Sequence, residues 1–261
     1  MAIASLADLG SAAYQRVSII KNGLSLTNNS YADLINKGGS PGAGTLAGTS
    51  TTTGVVPTDA DAGFPAIAGF GGTTGYLVQI EHNNVQTGGT AIRLFDVLWK
   101  GGAYAFNAAV TGQTPTSYAS RLPGTDYNLC EIWAVMVTAG TGVQNVAVEY
   151  TNGSGTTGRV TPTTALRSTE ANVMTRIPLA GGDRGLRGIT GVTGTVATAG
   201  TFNLMVLRRL AQIQPVPNIS NFSGWNHFLL PQVFEDSALM MAPYANNSTL
   251  DIFTEITIAN G

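Results

Sequence analysis

The clearest alternation of apolar and polar residues lies between Gly75 and Asn107. Residues 76–81 alternate apolar and polar side chains, and residues 91–99 form a second run rich in Ile, Leu, Phe, Val and Trp. The Asn and Gly residues between the two runs favour a turn, so the pattern predicts two strands joined as a hairpin. Tyr104 and Phe106 follow two positions apart and therefore face the same side of a sheet. We expect this hairpin to be the centre on which other strands pack.

Similar short runs recur along the rest of the chain. Residues 129–138 and 143–151 predict a second hairpin, and residues 201–210 and 250–258 contain further alternating segments. Gly-rich turns separate these runs, and the central part of the chain shows no sustained helical period. Many short strands with such turns are typical of an all-β fold. We expect an antiparallel β-sandwich of the jelly-roll type.

The first 62 residues have a different pattern. Residues 2–16 place apolar side chains at three- and four-residue spacing, which predicts a short amphipathic helix. Residues 17–20 predict a strand, and residues 30–37 a second short helix that ends at two glycines. Residues 38–63 are dense in Gly, Ser, Thr and Pro, as in a linker.

We therefore predict a partly helical N-terminal arm over residues 1–62 and a β domain over residues 63–261. The amphipathic pattern fits two interpretations, an internal core helix and an arm that docks on a partner. In the second interpretation the contact residues are Ile3, Leu6, Leu9, Tyr14 and Arg16.

Charge is scarce in this chain. Only 11% of its 261 residues are charged, against roughly 25% in an ordinary soluble domain. Ten of the thirteen basic residues are Arg, the cation that interface cores favour over Lys, although host codon bias explains the same ratio. A net charge of −2 offers no basic footprint for nucleic acid. We expect a protein partner to cover part of the surface, and no nucleic-acid partner.

Residues that could carry chemistry are few. The short signatures of serine hydrolases, zinc proteases, P-loop proteins and CxxC redox or metal sites are absent. We expect Cys130, the single cysteine, to be a buried apolar residue, and His82 a hydrogen-bonded histidine at a strand end. A glycoside hydrolase stays open as an alternative, in which a carboxylate pair drawn from Glu131, Glu149, Glu235, Asp96 and Asp236 does the chemistry. The prediction is nevertheless a protein that is not an enzyme and has no cofactor and no metal site.

An aromatic segment near the C-terminus is the candidate ligand-binding feature. Trp225 and His227 fall in a predicted loop, and Tyr244 follows in the next apolar segment. Together they would form an exposed platform for a sugar or a receptor, while a loop cap is the simpler interpretation of His227.

No segment resembles a membrane span or a secretion signal. The N-terminus lacks a basic start and carries Asp8 within its apolar stretch, and nowhere do 18 apolar residues run together. The sequence predicts a protein made in a reducing cytoplasm, with no membrane partner.

Five segments resemble virion proteins of tailed bacteriophages, of the head decoration (cement) or minor capsid kind. The resemblance is carried by residues 93–104, 123–127, 182–185, 202–208 and 230–239. It implies a jelly-roll-like subunit made in the host bacterial cytoplasm and located on the capsid surface of the virion. It further implies a homotrimer that binds the major capsid protein and stabilises the shell. A carbohydrate- or receptor-binding β-sandwich and a tail or connector protein remain the alternatives.

Overall fold

The structure is a computed structural model, and it confirms the all-β class. It describes residues 6–45, 50–83, 89–141, 144–167, 169–194, 199–216, 220–224, 227, 229–245 and 249–261. Within these ranges the chain forms one short α-helix, two single-turn 3-10 helices and sixteen strands. None of the helices in the described part has the length and hydropathy of a membrane span.

The elements follow one another along the chain with short connections. They are α1 (Leu6–Ser11), β1 (Ala13–Ser25), β2 (Ser30–Ala32), β3 (Gly75–Asn83), β4 (Gly89–Ala105), β5 (Ala109–Thr111), the 3-10 turns Ala119–Arg121 and Pro123–Thr125, β6 (Cys130–Thr138), β7 (Gln144–Asn152), β8 (Arg159–Val160), β9 (Thr164–Leu166), β10 (Val173–Ile177), β11 (Leu186–Gly194), β12 (Thr201–Ile213), β13 (Ser220–Gly224), β14 (Gln232–Val233), β15 (Leu239–Ala245) and β16 (Thr249–Asn260).

Six of the strands close into a barrel, in the order β10-β2-β15-β4-β12-β6. Every pairing around the ring is antiparallel. The interior is filled by apolar side chains that alternate along each strand with outward-facing ones, as in other small closed barrels. The interior core comprises Phe95, Val97, Trp133, Val135, Met174, Met205, Leu207, Met240 and Ala242, capped by Ile35 and Phe64.

Two further sheets pack on the outside of the barrel. The first has the order β1-β16-β3-β13, with β14 also paired to β3, and the second has the order β5-β11-β7-β8, with β9 also paired to β7. Each sheet buries its inner face against barrel strands in a separate apolar cluster. The barrel wall is thus covered on both sides.

Strand β4 shows why the central run is apolar without a clear alternation. Phe95 and Val97 point into the barrel, while Ile92 and Leu94 pack against the first sheet. Because both faces are buried, both need apolar residues. The run at residues 91–99 is therefore a barrel strand and does not have a solvent-facing side.

One end of the barrel is closed by the loop after β2. Asp33 is fully buried there and accepts a hydrogen bond from the Ile35 N–H at 2.8 Å. Lys100 donates to the Thr45 carbonyl and Lys21 to the Lys37 carbonyl, each at 2.6 Å. Burial raises the pKa of Asp33 and lowers the pKa of both lysines. At this end the cationic groups are consumed by contacts within the chain.

The segment at residues 50–57 also packs on the barrel. Val55 bridges to Lys100, and the Trp99 Nε1–H donates to the Thr53 carbonyl at 2.9 Å. Gly54 has φ +60, and a Cβ at this position would lie 2.4 Å from the Trp99 ring. Only glycine fits this close approach of loop and indole.

Several expectations need correction. The fold is a six-stranded barrel with two flanking sheets, and the jelly-roll sandwich is not observed. Residues 30–37 form strand β2 followed by turns instead of a helix, because Ser30 and Tyr31 pair with β15. Strands β3 and β4 exist as predicted, but they do not form a hairpin, since β3 pairs with β16, β13 and β14 and β4 pairs with β12 and β15. Strands β6 and β7 likewise belong to different sheets.

The predicted arm, residues 1–62, contributes to the folded body from α1 onward. Strand β1 pairs with β16 from Ala13 to Ser25 and contains the strand expected at residues 17–20. Val17 and Ile19 are buried in the core between the first sheet and the barrel. Residues 1–5 lie outside the described ranges, and so does the predicted contact residue Ile3.

Candidate functional site at the open end of the barrel

The barrel end opposite the Asp33 loop carries charged side chains on the inward-facing positions. Strand alternation places Arg93 on the side of Phe95, Glu131 on that of Trp133, Arg176 on that of Met174 and Arg209 on that of Leu207. We call these four residues, Arg93, Glu131, Arg176 and Arg209, the mouth cluster. Tyr31 and Tyr244 continue the same ring on β2 and β15.

Arg93 is held by aromatic rings. Its guanidinium lies 4.5 Å from the centroid of Tyr31 and 5.6 Å from that of Trp133, within the range of cation–π attraction. Its Nε–H donates to Gln212 at 3.1 Å. Tyr31 in turn contacts Tyr244 edge-on at 5.1 Å. This arrangement fixes Arg93 while leaving it half-buried.

The remaining members of the mouth cluster balance only in part. Glu131 accepts a hydrogen bond from Trp133 Nε1–H at 2.9 Å and lies 3.4 Å from an Nη2 of Arg176. The Arg176 side chain is 58% exposed, and Arg209 is exposed as well. Three guanidinium groups face one carboxylate, so this end of the barrel is cationic in a chain whose net charge is −2.

The pKa of Arg93 reports the same excess of positive charge. Burial lowers the pKa of its guanidinium, Tyr31 and Glu131 oppose the shift, and Arg209 and Arg176 add to it. The three guanidinium groups therefore lie near enough to repel one another. A bound anion would relieve that repulsion.

Two neighbouring clefts open at the mouth. The larger, of about 640 Å³, is lined by Glu131, Arg176 and Arg209 and by the apolar side chains of Leu129, Ile177 and Leu179. The smaller, of about 350 Å³, is lined by Arg93, Tyr31, Tyr244 and Arg176, among others. Arg176 belongs to both clefts, so they adjoin and together form an elongated groove. We call it the mouth groove.

The rim of the mouth groove adds more positive charge. Arg167 lines the smaller cleft and Arg184 the larger one, and both are exposed. Asp183 also lines the larger cleft, but its carboxylate accepts hydrogen bonds from Tyr150, Asn152 and Arg159. Its negative charge is thus committed away from the groove.

Leu129 projects from the wall of the larger cleft. Its side chain is 70% exposed, and its φ of 71° lies in the left-handed region that costs a branched residue free energy. The backbone is held there because the Leu129 N–H donates to the Arg184 carbonyl at 3.0 Å. An apolar side chain is therefore presented to solvent at a fixed place beside the guanidinium groups.

A second ionic cluster lies in the barrel wall, on the outward side of β4 and β12. Asp96 forms ion pairs with Arg121 and with Arg208, the latter at 3.2 Å, and accepts a hydrogen bond from Ser237 at 3.1 Å. Arg208 also donates to the Gln232 carbonyl at 2.9 Å. We call Asp96, Arg121, Arg208 and Ser237 the wall cluster. All four side chains are buried.

The sequence predicted neither cluster as a site. The arginines of both clusters are dispersed over four elements, and only the barrel closure brings them together. A signal was nevertheless present in β4, β6, β10 and β12, where a charged residue occupies a position two away from an inward apolar one. In a strand buried on both faces, such a residue marks the end of the barrel.

The predicted arm residues are placed differently from one another. Leu9 is buried against Val78 and Ala259, so its side chain is used within the chain and is not free to dock. Leu6 lies in α1, Tyr14 is 49% exposed, and the side chain of Arg16 is 72% exposed and ion-paired with Glu255 at 3.5 Å.

The predicted aromatic loop is not assembled as expected. Trp225 lies outside the described residues. His227 is exposed between β13 and β14, which both belong to the first sheet, whereas Tyr244 lies in β15 at the mouth of the barrel. Tyr244 thus belongs to the mouth groove.

The single cysteine and the buried histidine are structural. Cys130 is 2% exposed, and burial raises the pKa of its thiol to about 12. His82 is fully buried, its Nδ1 lies 2.8 Å from the Thr254 hydroxyl, and burial lowers the pKa of its imidazole to about 4. Both groups are therefore neutral at pH 7.

The carboxylates considered for hydrolysis occupy separate places. Asp96 is part of the wall cluster and Glu131 part of the mouth cluster. Glu235 accepts a hydrogen bond from the Phe70 N–H at 2.6 Å, and Glu149 lies 3.4 Å from the Thr190 hydroxyl. Asp236 lies 3.8 Å from Arg121 Nε and is half-exposed.

Comparisons with known proteins return viral capsid structures. No protein-family model matches the chain, and no curated protein matches it. Among solved structures, the chain is similar to the VP2 subviral particle of infectious bursal disease virus, with 9% identity, a TM-score of 0.19 and coverage of 95% of this chain and 80% of that one. The Gt strain of the same virus gives 7% identity, a TM-score of 0.19 and coverage of 95% and 81%. Scores this low do not establish a common fold, and the barrel described above rests on the strand pairing of this chain alone.

Proposed function

We propose that this chain is a structural protein of a bacteriophage particle that binds the outside of the capsid as a homo-oligomer and stabilises the shell. The observation that carries the proposal is the unbalanced mouth cluster, a cationic surface with aromatic and apolar walls at the end of a rigid barrel. A preorganised surface of this kind favours recognition of a partner, because little conformational freedom is lost on binding.

The resemblance to virion proteins has a structural counterpart. Asp96, Arg208 and Ser237 come from three of the segments that carry the resemblance, and they meet in the wall cluster. The shared phrases thus include residues that hold the barrel together. This supports a common kind of structural scaffold in preference to a common reaction.

The edges of the first sheet support self-association. Strands β1 and β13 are the outer strands of that sheet, and each carries an exposed aromatic residue, Tyr14 at 49% and Phe222 at 61%. An edge strand with an exposed apolar side chain can pair with the same edge in another copy. A trimer is the assembly that we propose.

Binding would stabilise the shell by mass action. A protein that binds the assembled shell and not its separated subunits shifts the equilibrium towards assembly. In an oligomer, several weak contacts act together, because the first contact raises the effective concentration of the others.

The test uses virus particles produced from a genome that lacks the reading frame for this chain. We expect the purified chain to bind them saturably and to raise the temperature at which they disassemble. Light scattering should give a mass three times the 27.0 kDa of the chain. A chain that does not sediment with the particles would contradict the proposal.

A second candidate is a carbohydrate- or receptor-binding role on the virion. It is favoured by Tyr31 and Tyr244, whose rings are only partly buried at the mouth groove. Trp133, in contrast, is 1% exposed and cannot stack on a sugar. Saturable binding of a neutral or acidic oligosaccharide by the purified chain, in the absence of particle binding, would favour this role.

A further inference from the structure

The chemistry of the mouth groove defines the kind of ligand that fits it. Its charged groups are guanidinium forks, which bind carboxylate and phosphate oxygens through paired hydrogen bonds. Arg176 and Arg209 are exposed at the groove, and Arg93 is fixed by its stacking on Tyr31. A ligand that neutralises this cluster must carry more than one negative charge.

The shape of the groove favours an extended ligand. The two clefts share Arg176 and have volumes of about 640 and 350 Å³. Their cations are distributed along both clefts, with Arg209 in the larger and Arg93 in the smaller. A single small anion would occupy only one part of this surface.

The apolar wall separates a peptide from a polyphosphate. Leu129 is 70% exposed on the wall of the larger cleft, where Ile177 and Leu179 also line the surface. A phosphate backbone gains nothing from these side chains, whereas a peptide can alternate carboxylate and apolar groups along its length. The net charge of −2 over the whole chain further disfavours a polyanion such as nucleic acid.

We propose that the mouth groove binds an extended acidic segment of the capsid protein, in which Asp or Glu side chains engage Arg93, Arg176 and Arg209 and an apolar side chain packs on Leu129. The identity of the partner rests on the function proposed above, whereas the acidic and apolar character of the segment follows from the groove itself. Trp133 and Tyr31 act as positioning residues because they hold Arg93.

The experiment measures the binding of a fluorescein-labelled peptide in which Asp and Glu alternate with Leu and Val, by fluorescence anisotropy. A matched peptide has Asn and Gln in place of the acids, and a second has Ser and Gly in place of the apolar residues. We expect both replacements to weaken binding at least about tenfold, because each removes one kind of contact. Raising the salt concentration should weaken binding of the acidic peptide.

Three variants locate the binding site. Arg176→Gln combined with Arg209→Gln should lower peptide affinity at least about tenfold, since two charge-assisted contacts are lost. Arg187→Gln is the matched control, because Arg187 is an exposed arginine of β11 in the second sheet, outside the groove. Its affinity should stay within about twofold of the wild type, a change of less than 0.5 kcal/mol in this arithmetic.

Leu129→Gly separates recognition from folding. Glycine adopts φ +71 without the penalty that leucine carries, so the variant should unfold at the same denaturant concentration or a higher one. It should nevertheless bind the acidic peptide more weakly. A variant that loses stability and keeps its affinity would show that Leu129 has only a structural role and would overturn its part in the groove.

The outcomes distinguish this inference from the proposed function. Peptide binding that is equal for wild type and the Arg176→Gln/Arg209→Gln variant overturns the inference, as does groove-dependent binding of an oligonucleotide or an acidic oligosaccharide in preference to the peptide. If the wild type binds the peptide through the groove but does not bind particles, the groove chemistry stands and the capsid function fails. If particles bind wild type and double variant equally, the function stands and the inference fails.

Discussion

The wall cluster and the mouth cluster use the same residue types in opposite ways. In the wall cluster, Asp96 receives two guanidinium groups and a hydroxyl, and all of these side chains are buried. In the mouth cluster, one carboxylate faces three guanidinium groups, two of which are exposed. The comparison teaches that burial and local balance separate charges that hold a fold from charges that are available to a ligand.

The largest expected effect comes from breaking the wall cluster. Asp96→Ala leaves two buried guanidinium groups without their shared carboxylate, and the free energy of unfolding should fall by about 3–5 kcal/mol. Denaturant unfolding followed by circular dichroism measures the change. Arg16→Ala, which removes an ion pair with 72% and 44% exposed side chains, is the control and should cost less than about 1 kcal/mol. Similar losses for the two variants would refute the distinction.

A buried group that stays neutral extends the comparison to pH. The pKa of His82 is lowered from 6.5 to about 4 by burial, so its contribution to stability is complete above pH 6.5 and is lost as the pH falls from 6.5 to about 4. The loss should reach about 3 kcal/mol at the acid end. His82→Asn should remove this part of the acid sensitivity, measured as the difference in unfolding free energy between pH 7 and pH 4. An unchanged pH dependence in the variant would assign the acid sensitivity to other groups.

Arg93 is the intermediate case, since it is half-buried and belongs to the mouth. Arg93→Met keeps the apolar stem but removes the guanidinium that stacks on Tyr31 and donates to Gln212. We expect a loss of about 1–2 kcal/mol in unfolding free energy, from the sum of a cation–π contact and a hydrogen bond. A loss as large as that of Asp96→Ala would place Arg93 with the structural charges.

The smallest effect on stability should come from the exposed members of the mouth cluster. Arg176→Gln combined with Arg209→Gln removes no buried group, so the unfolding free energy should change by less than about 0.5 kcal/mol. It could even rise, because the repulsion that these groups exert on Arg93 is relieved. A clear destabilisation measured in the same denaturant series would show that the mouth arginines support the fold.

Much of the strand content was readable from the sequence. The runs at residues 76–81, 91–99 and 250–258 all lie within strands, and Tyr104 and Phe106 lie in one apolar cluster as expected. Local alternation carries this information because it depends only on which side of a strand meets the core. The class of the fold followed from it.

The sheet topology was not readable from the same signals. The two predicted hairpins, β3 with β4 and β6 with β7, have each strand in a different sheet. Short Gly-rich connections are equally compatible with a tight hairpin and with a crossing from barrel to sheet. The pairing is decided by strands far away in sequence, such as β16 for β3 and β12 for β4.

The candidate site was readable only in fragments. Tyr244 was singled out, but as part of a loop with Trp225 and His227, and Glu131 only as an acid of a hydrolytic pair. The arginines of the mouth cluster lie on β4, β10 and β12, separated by many residues, and no local pattern links them. Barrel closure creates the cluster, so it could be found only from the fold.

The most direct test of the mouth groove as the recognition surface is sedimentation with virus particles that lack this chain. Wild-type protein and the Arg176→Gln/Arg209→Gln variant are titrated onto the same particles, and the bound fraction is measured after centrifugation. The account predicts saturable binding of the wild type and an affinity at least about tenfold lower for the variant. Equal binding of the two proteins would contradict it.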